Sequence, residues 1–215
     1  MGYRQKKNLT EAMELEDAMM EDMEDAIDHG ILVSNLAVRL SKEMNRDEHF
    51  CKEIARAGMV HDIGKLKLGE YLYGRKHDTL RIEEMKYVRM HPTLGYEVLK
   101  EMNTYSGEVL DAIYHHHENY DGTGYPSNIK GDEIPFMSRI LRTCDVFAAL
   151  ISERPYRAAF DMETAVELMI DEVKNFDMRV FLAFLNMVHE DDFGTVKEYV
   201  AEINQKSLHR NKSIS

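Results

Sequence analysis

Two adjacent histidines, His116 and His117, precede a stretch rich in glycine that ends at Pro126. Neighbouring histidines rarely share a packing face, because each imidazole has two ring nitrogens that need polar partners, and a bound metal is one such partner. The two glycines of the stretch, Gly122 and Gly124, tolerate the backbone conformations of a loop that lies close to a bound anion. The segment therefore offers metal ligands and a ligand-binding loop together.

Other potential metal ligands are spread along the chain, and all of them are histidine or aspartate. They are His29, the adjacent pair His61 and Asp62, His91 and Asp145. Nitrogen and oxygen ligands without cysteine suit manganese, iron or zinc, and they disfavour a structural zinc site. The carboxylate of Asp62 has two oxygens and can bridge two metals. Two metals a few ångströms apart suit the hydrolysis of a phosphate ester.

The elements that position these residues are predicted to be helices, because helical spacing of apolar residues dominates and alternating runs typical of strands are nearly absent. Predicted helices cover residues 10–27, 28–44, 47–61, 82–90, 92–100, 106–117, 135–151 and 195–206, and two more begin after the N-caps Asp161 and Asp177. Residues 66–80 and 118–133 are predicted loops. Ligands on separate helices are typical of a metal centre in the core of a helical bundle.

The composition excludes several classes of protein. The 215 residues include 44% hydrophobic residues, enough for a core, and two cysteines in apolar contexts that we expect to be reduced. We expect a cytoplasmic protein without a membrane span or signal peptide, since no apolar run is long enough for either. The net charge of −12 argues against binding to duplex nucleic acid. An anionic substrate would need locally placed cations.

Four motifs occur in order within residues 28–190. They are His61-Asp62-Ile63-Gly64-Lys65, His116-His117-Glu118, Asp121-Gly122-Thr123-Gly124-Tyr125-Pro126 and Arg154-Pro155-Tyr156-Arg157. With these motifs the chain resembles the HD-GYP family, a branch of the HD phosphohydrolase superfamily. The resemblance implies an all-α, HD-type helical bundle with a metal centre in its core. It also implies two or three metals, often iron or manganese, and hydrolysis of cyclic di-GMP or a related cyclic dinucleotide.

The resemblance further implies roles for individual residues. The implied metal ligands are His29, His61, Asp62, His91, His116, His117 and Asp145, with Asp62 bridging two metals. Asp62 and Lys65 are the implied catalytic residues. The implied substrate-binding residues are Lys65, Arg154, Arg157, Gly124 and Tyr125. His115 matches no ligand position.

Two positions depart from the family pattern. Asp25 stands where some members have a glutamate that binds a third metal, and the shorter side chain leaves the metal count open. Ala148 stands where most members have another aspartate. Two alternatives to a cyclic dinucleotide phosphodiesterase follow. One is an HD phosphohydrolase of another nucleotide, and the other is a nucleotide receptor or adapter with weakened chemistry.

Three regions are predicted along the chain: a helical N-terminal extension (1–27), the HD-GYP domain (28–206) and a flexible tail (207–215). The extension has an apolar stripe that is a candidate interface for a homodimer. It includes Met13, Met20, Met23 and Ile27. A signalling protein is a further candidate partner, and the sequence does not identify it.

Overall fold

Every candidate metal ligand lies within a helix or in the few residues that follow the end of one. The computed structural model describes residues 2–69, 82–154, 157–190 and 193–213. Within these ranges there is no β-strand, and a single isolated antiparallel bridge pairs the backbones of Arg154 and Arg157. The prediction of an all-α fold is confirmed.

The described residues form nine α-helices and three short 3-10 helices. The α-helices are α1 (Gly2–Glu43), α2 (Glu48–Val60), α3 (Ile82–Val88), α4 (His91–Met102), α5 (Gly107–Tyr114), α6 (Phe136–Ile151), α7 (Met162–Asp171), α8 (Met178–Val188) and α9 (Gly194–Ser213). The 3-10 helices are Ile63–Leu68, Gly131–Glu133 and Val173–Asn175. Most of the predicted loop 66–80 lies outside the described residues, as do Pro155 and Tyr156.

The first helix corrects one prediction. The sequence predicts separate helices over residues 10–27 and 28–44, but α1 is continuous from Gly2 to Glu43. Neither a proline nor a capping turn interrupts the chain between the two predicted helices. Gly30 lies within α1 at a place where α2 packs too closely for a larger residue. A Cβ atom at Gly30 would lie 2.7 Å from the carbonyl oxygen of Met59. The boundary predicted at residue 27 therefore falls inside a helix.

Four helix starts agree with the sequence. The side chains of Asp47, Ser106, Asp161 and Asp177 each accept a hydrogen bond from a backbone N–H in the first turn of the helix that follows.

The end of the last helix differs from the prediction. Helix α9 continues to Ser213, so residues 207–213 of the predicted flexible tail are helical. Ile203 and Ser207 are both buried, and these contacts extend the helix beyond the predicted end at residue 206.

The central helix of the core is α6. It packs against α1, α2, α5, α7 and α8. The ring of Phe147 is fully buried on α6, with centroids 4.9 Å from Phe184 and 6.4 Å from Phe193. Large buried aromatic rings contribute strongly to core stability, so the neighbouring Asp145 is held on a rigid element. Cys144 on the same helix is buried and unpaired, as is Cys51 on α2, in agreement with the prediction.

In the part of the chain that the structure describes, no helix combines the length and the apolar character that a membrane span requires.

Candidate metal centre

Three candidate ligands are oriented in the same way, by a hydrogen bond from the imidazole Nδ1 to the backbone carbonyl three residues earlier. The pairs are His61 with Gly58 (2.8 Å), His91 with Val88 (2.7 Å) and His116 with Ile113 (2.6 Å). Each carbonyl belongs to the last turn of a helix, where intrahelical donors run out. Because a carbonyl only accepts hydrogen bonds, Nδ1 carries the hydrogen and Nε2 keeps the lone pair that a metal ligand needs.

This arrangement explains why α5 ends earlier than predicted. The sequence predicts that this helix reaches about residue 117, whereas it ends at Tyr114. In a longer helix the N–H of His117 would bond to the carbonyl of Ile113, and here the imidazole of His116 donates to that carbonyl instead. The chain turns instead, and the two adjacent imidazoles face the centre of the bundle.

Seven of the eight predicted ligands come together in two groups. The first group is Asp62, His91, His116 and His117, and the second is His29, His61 and Asp145. The ligand atoms of each group lie within 4.8 Å of one another. Asp25, the tentative eighth ligand, is in neither group and lies one helical turn before His29 on α1.

The spacing within the groups fits coordination of a metal. In the first group, His91 Nε2 lies 3.1 Å from the Nε2 atoms of both His116 and His117 and 3.1 Å from Asp62 Oδ1. In the second group, Asp145 Oδ1 lies 3.0 Å from His29 Nε2. Adjacent ligands at 2.0–2.1 Å from an octahedral metal would be about 3 Å apart.

The Asp62 carboxylate lies between the two groups. Its Oδ1 faces His91 of the first group, and its Oδ2 lies 3.4 Å from His61 Nε2 of the second. This is the arrangement that the prediction of a bridging aspartate requires.

Several buried polar atoms of the centre have no hydrogen-bond partner among the described residues. They are His29 Nδ1, His61 Nε2 and Asp62 Oδ1. A buried polar atom without a partner costs about 1–3 kcal/mol. Two of these atoms, His61 Nε2 and Asp62 Oδ1, belong to the ligand groups, and a cation bound there would satisfy them. The donor set therefore fits a divalent metal.

The electrostatics of the centre favour neutral imidazoles at His116 and His117 and a positive charge at His61. Burial and the neighbouring His91 lower the pKa of His116 to about 3, and burial also holds the pKa of His117 well below its usual value. At His61 burial opposes the charged form, but the carboxylates of Asp62 and Asp145 outweigh it and raise the pKa to about 10. The centre thus attracts positive charge to the place between the two carboxylates, as a metal site must.

The glycine-rich loop folds directly over the first group. The Tyr125 ring stacks on His117 at a centroid distance of 4.8 Å, and the Tyr125 N–H donates to the His117 carbonyl at 3.1 Å. Gly124 is required here, because a Cβ atom would overlap the backbone of residues 117–119. Gly124 and Tyr125 therefore lie beside the centre, and their predicted role in binding substrate stays a prediction.

The predicted cations differ in their surroundings. Lys65 Nζ lies 2.5 Å from Asp62 Oδ2, and its side chain is 35% exposed. Arg154 borders a small cavity together with Asp25 and His29. The Arg157 guanidinium instead donates to carbonyls at the end of α6, at 2.7 Å to Ala149 and 3.1 Å to Leu150.

Two residues to which the sequence assigns no role organise the loop. Glu118 is buried, and its Oε1 accepts hydrogen bonds from the N–H groups of Ser127 (2.6 Å) and Asn128 (3.1 Å). Arg142 on α6 donates from Nε and Nη2 to the Asn119 side-chain oxygen, at 3.1 Å and 2.9 Å. The sequence could have indicated Glu118, because it directly follows the ligands His116 and His117 and precedes the glycine-rich loop. No pattern of spacing indicates Arg142.

Comparison with known proteins identifies the family of the chain. A model of the HD domain family matches residues 4–180. A curated cyclic di-GMP phosphodiesterase of Pseudomonas aeruginosa is 33% identical over 160 residues, which cover 74% of this chain and 38% of that protein. A 3'3'-cGAMP-specific phosphodiesterase of Vibrio cholerae is 31% identical over 186 residues, covering 83% of this chain and 42% of that protein. The chain therefore spans less than half the length of each of these relatives.

The fold also resembles a solved structure. A protein of Bdellovibrio bacteriovorus described as HDG"Y"P matches with a TM-score of 0.63 and 18% identity, over 77% of this chain and 53% of that one. At this identity the likeness concerns the fold alone. Because the family model matches most of the chain, this protein belongs to the HD domain family, in agreement with its predicted membership of the HD-GYP branch.

Proposed function

We propose that the chain is a metal-dependent phosphodiesterase that hydrolyses a cyclic dinucleotide, with cyclic di-GMP as the first candidate substrate. One observation carries the proposal: two groups of histidine and aspartate ligands lie side by side, with the carboxylate of Asp62 between them. A site for two neighbouring metals suits hydrolysis of a phosphodiester. The two relatives named as cyclic di-GMP and 3'3'-cGAMP phosphodiesterases support the substrate class.

In this proposal each group of ligands holds one divalent metal, iron or manganese, and Asp62 is shared. When bound, the metals supply Lewis acidity toward a phosphate oxygen and lower the pKa of a water molecule. The chain itself turns the imidazoles of His61, His91 and His116 through the hydrogen bonds from Nδ1 to helix carbonyls, and burial keeps His116 and His117 neutral. A third metal would need Asp25, whose position on α1 beside the cavity at His29 makes it the candidate for an added ligand.

Cations of the chain neutralise the substrate phosphates. Lys65 contacts Asp62 and keeps part of its side chain accessible, so it can hold the carboxylate and also meet a phosphate. Arg154 borders the cavity next to His29. Arginine and lysine at such positions stabilise the charge that develops in the transition state. Arg157 retains its predicted phosphate role in this proposal, in addition to its contact with the end of α6.

A nucleotide receptor with little or no turnover is the second candidate, and Ala148 is the observation that favours it. Ala148 lies one helical turn after Asp145 and is fully buried among apolar residues. An aspartate at this place would be able to orient a ligand or a water molecule, and alanine cannot.

Product analysis on a panel of nucleotides tests the proposal. Protein purified without oxygen and supplied with iron or manganese is incubated separately with cyclic di-GMP, 3'3'-cGAMP and a nucleoside monophosphate, and the products are separated by chromatography. We expect cleavage of a cyclic dinucleotide and no release of phosphate from the monophosphate. Cleavage of the monophosphate alone would instead identify a different HD phosphohydrolase.

A further inference from the structure

Arg142 is a cation at the wall of the candidate metal centre that the proposed chemistry does not yet use. It lies on α6 one turn before Asp145, so both side chains leave the same side of the helix. Burial lowers the pKa of Arg142, and the nearby negative charge of Asp145 opposes this shift. Burial is also the main cause that lowers the pKa of His117, and the positive charge of Arg142 adds to it. The guanidinium is therefore close to ligands of both groups.

Within the part of the chain that the structure describes, the Arg142 guanidinium forms no ion pair. Among the residues that the structure describes, no carboxylate lies within ion-pair distance of Arg142, and its hydrogen bonds from Nε and Nη2 both go to the neutral amide of Asn119. The same residues provide no acceptor for the remaining terminal nitrogen, Nη1. A partly buried cation without an anion is costly unless an anion is supplied from outside.

Asn119 fixes where the guanidinium points. Its side-chain oxygen accepts two hydrogen bonds from Arg142, and its amide nitrogen donates to Thr123 Oγ1 at 3.0 Å. Thr123 Oγ1 in turn donates to Asp121 at 2.6 Å. This chain of contacts joins α6 to the glycine-rich loop that covers the first ligand group. It presents the free edge of the guanidinium in one orientation, and a guanidinium edge matches the oxygens of a phosphate.

We propose that Arg142 is a further substrate-binding residue that binds a phosphate oxygen of the nucleotide, with Asn119 as the positioning residue that orients it. This inference rests on the proposed function. It adds a local positive charge that a chain of net charge −12 needs in order to hold a substrate with two phosphates.

Two substitutions separate binding of phosphate from a merely structural role. Arg142→Gln removes the charge and keeps a polar side chain of similar length. Asn119→Asp keeps the contact with Arg142 but supplies a carboxylate that neutralises it. If Arg142 only ties the loop to α6, Asn119→Asp should strengthen that tie and leave substrate affinity unchanged. If Arg142 binds phosphate, both substitutions should weaken substrate binding.

The measurements are KM and kcat for cyclic di-GMP at two salt concentrations, with metal content and melting temperature determined on the same samples. A hydrogen bond to a charged group is worth about 1.5–3 kcal/mol, so we expect Arg142→Gln to raise KM about 10- to 100-fold with unchanged metal content. Asn119→Asp should raise KM with unchanged metal content, although it loses the hydrogen bond from the amide to Thr123, and both variants should weaken the increase of KM with salt. Arg46→Gln is the matched control, because Arg46 is exposed and lies over the Phe136 ring at the far end of α6.

The outcomes are distinct. The role of Arg142 would be overturned if Asn119→Asp left KM unchanged and any loss of activity in Arg142→Gln followed from a lower melting temperature or a lower metal content. That result would leave the proposed function intact. If the unsubstituted protein neither binds nor cleaves a cyclic dinucleotide, the proposed function fails, and this inference fails with it.

Discussion

At His61, His91 and His116, a backbone carbonyl three residues earlier holds the imidazole and leaves Nε2 free. The three Nε2 atoms then meet the carboxylate oxygens of Asp62, at 3.4, 3.1 and 4.0 Å. Orientation at the level of single rings thus brings the ligand atoms of the centre together. It follows that removing Asp62 should affect metal binding far more than folding.

The first prediction concerns Asp62→Ala. Loss of this carboxylate removes a member of the first group that also lies next to His61 of the second, so we expect bound metal to fall and turnover with cyclic di-GMP to drop more than about 100-fold. Helical content measured by circular dichroism should be kept. Asp111→Ala is the control, because Asp111 is an exposed aspartate on α5. Near-native turnover with full metal content in Asp62→Ala would show that the assigned role is wrong.

The second prediction concerns the two arginines of the Arg154–Arg157 turn. Arg154→Ala and Arg157→Ala should each lower kcat/KM about 10- to 100-fold while metal content stays the same. Only Arg157→Ala should also reduce the free energy of unfolding, by about 1–3 kcal/mol, because carbonyls at the end of α6 lose their donor. Unchanged kinetics in both variants, measured beside thermal unfolding, would leave these arginines a structural role alone.

The sequence predicts the ligands at this scale better than it predicts their supports. Histidine and aspartate indicate metal chemistry by residue type, and the ordered motifs that contain His61 and Asp62 make this indication specific. Arg142 and Glu118 act through contacts with residues of other elements or of the loop, and these contacts depend on how the chain folds in space. Residue types along one sequence do not contain that information.

At the scale of the elements, α6 carries most of what distinguishes this chain. Asp145 of the second ligand group, Arg142 and Ala148 are all on this helix, at spacings that put them on neighbouring turns. The helix is fixed by buried aromatic rings, so the relative positions of these side chains are set by helix geometry. A substitution on α6 therefore changes chemistry at the centre without moving the helix.

Ala148→Asp is the third prediction. An aspartate one turn after Asp145 should orient a ligand or a water molecule, and such contacts are worth about 10- to 100-fold in activity. We expect faster steady-state hydrolysis of cyclic di-GMP, together with a lower melting temperature because Ala148 is fully buried. Ala148→Asn is the control, because asparagine has nearly the shape of aspartate without its charge. If the aspartate variant is no faster than the parent, Ala148 is neutral and Asp25 becomes the next position to test.

Helix starts are better predicted than helix continuity. Asp47 and Ser106 are found in sequence because a capping side chain acts on backbone groups only a few residues away. The continuity of α1 was not predicted. The glycine at position 30 allows a close contact with the carbonyl of Met59 on α2, and this contact between distant residues is not visible in the sequence. The extension of α9 past residue 206 likewise depends on burial against the rest of the fold.

At the scale of the whole molecule, α1 presents an apolar face between Met20 and Ile27 that the described fold leaves exposed. Met20, Met23 and Ile27 are 53%, 39% and 50% exposed, and their spacing puts them on one side of the helix. Burial in the core begins farther along, at His29 and Leu32. A homodimer remains a prediction from the sequence, and this face is where we expect two copies of the chain to pair.

The fourth prediction tests this pairing. Sedimentation velocity over a range of concentrations should show a dimer for the parent protein, and Met23→Lys combined with Ile27→Lys should give a monomer of unchanged helical content. Leu182→Lys is the control, because Leu182 is equally exposed on α8. A parent protein that stays monomeric at every concentration would rule out pairing through α1.

The number of cyclic di-GMP molecules that each chain consumes, counted anaerobically with iron or manganese present, is the most direct measurement of the proposed activity. We predict many turnovers per chain, which stop when a chelator removes the metals and resume when metal is restored. Nucleotide that binds in a one-to-one ratio and stays intact with either metal would contradict a phosphodiesterase and identify a receptor.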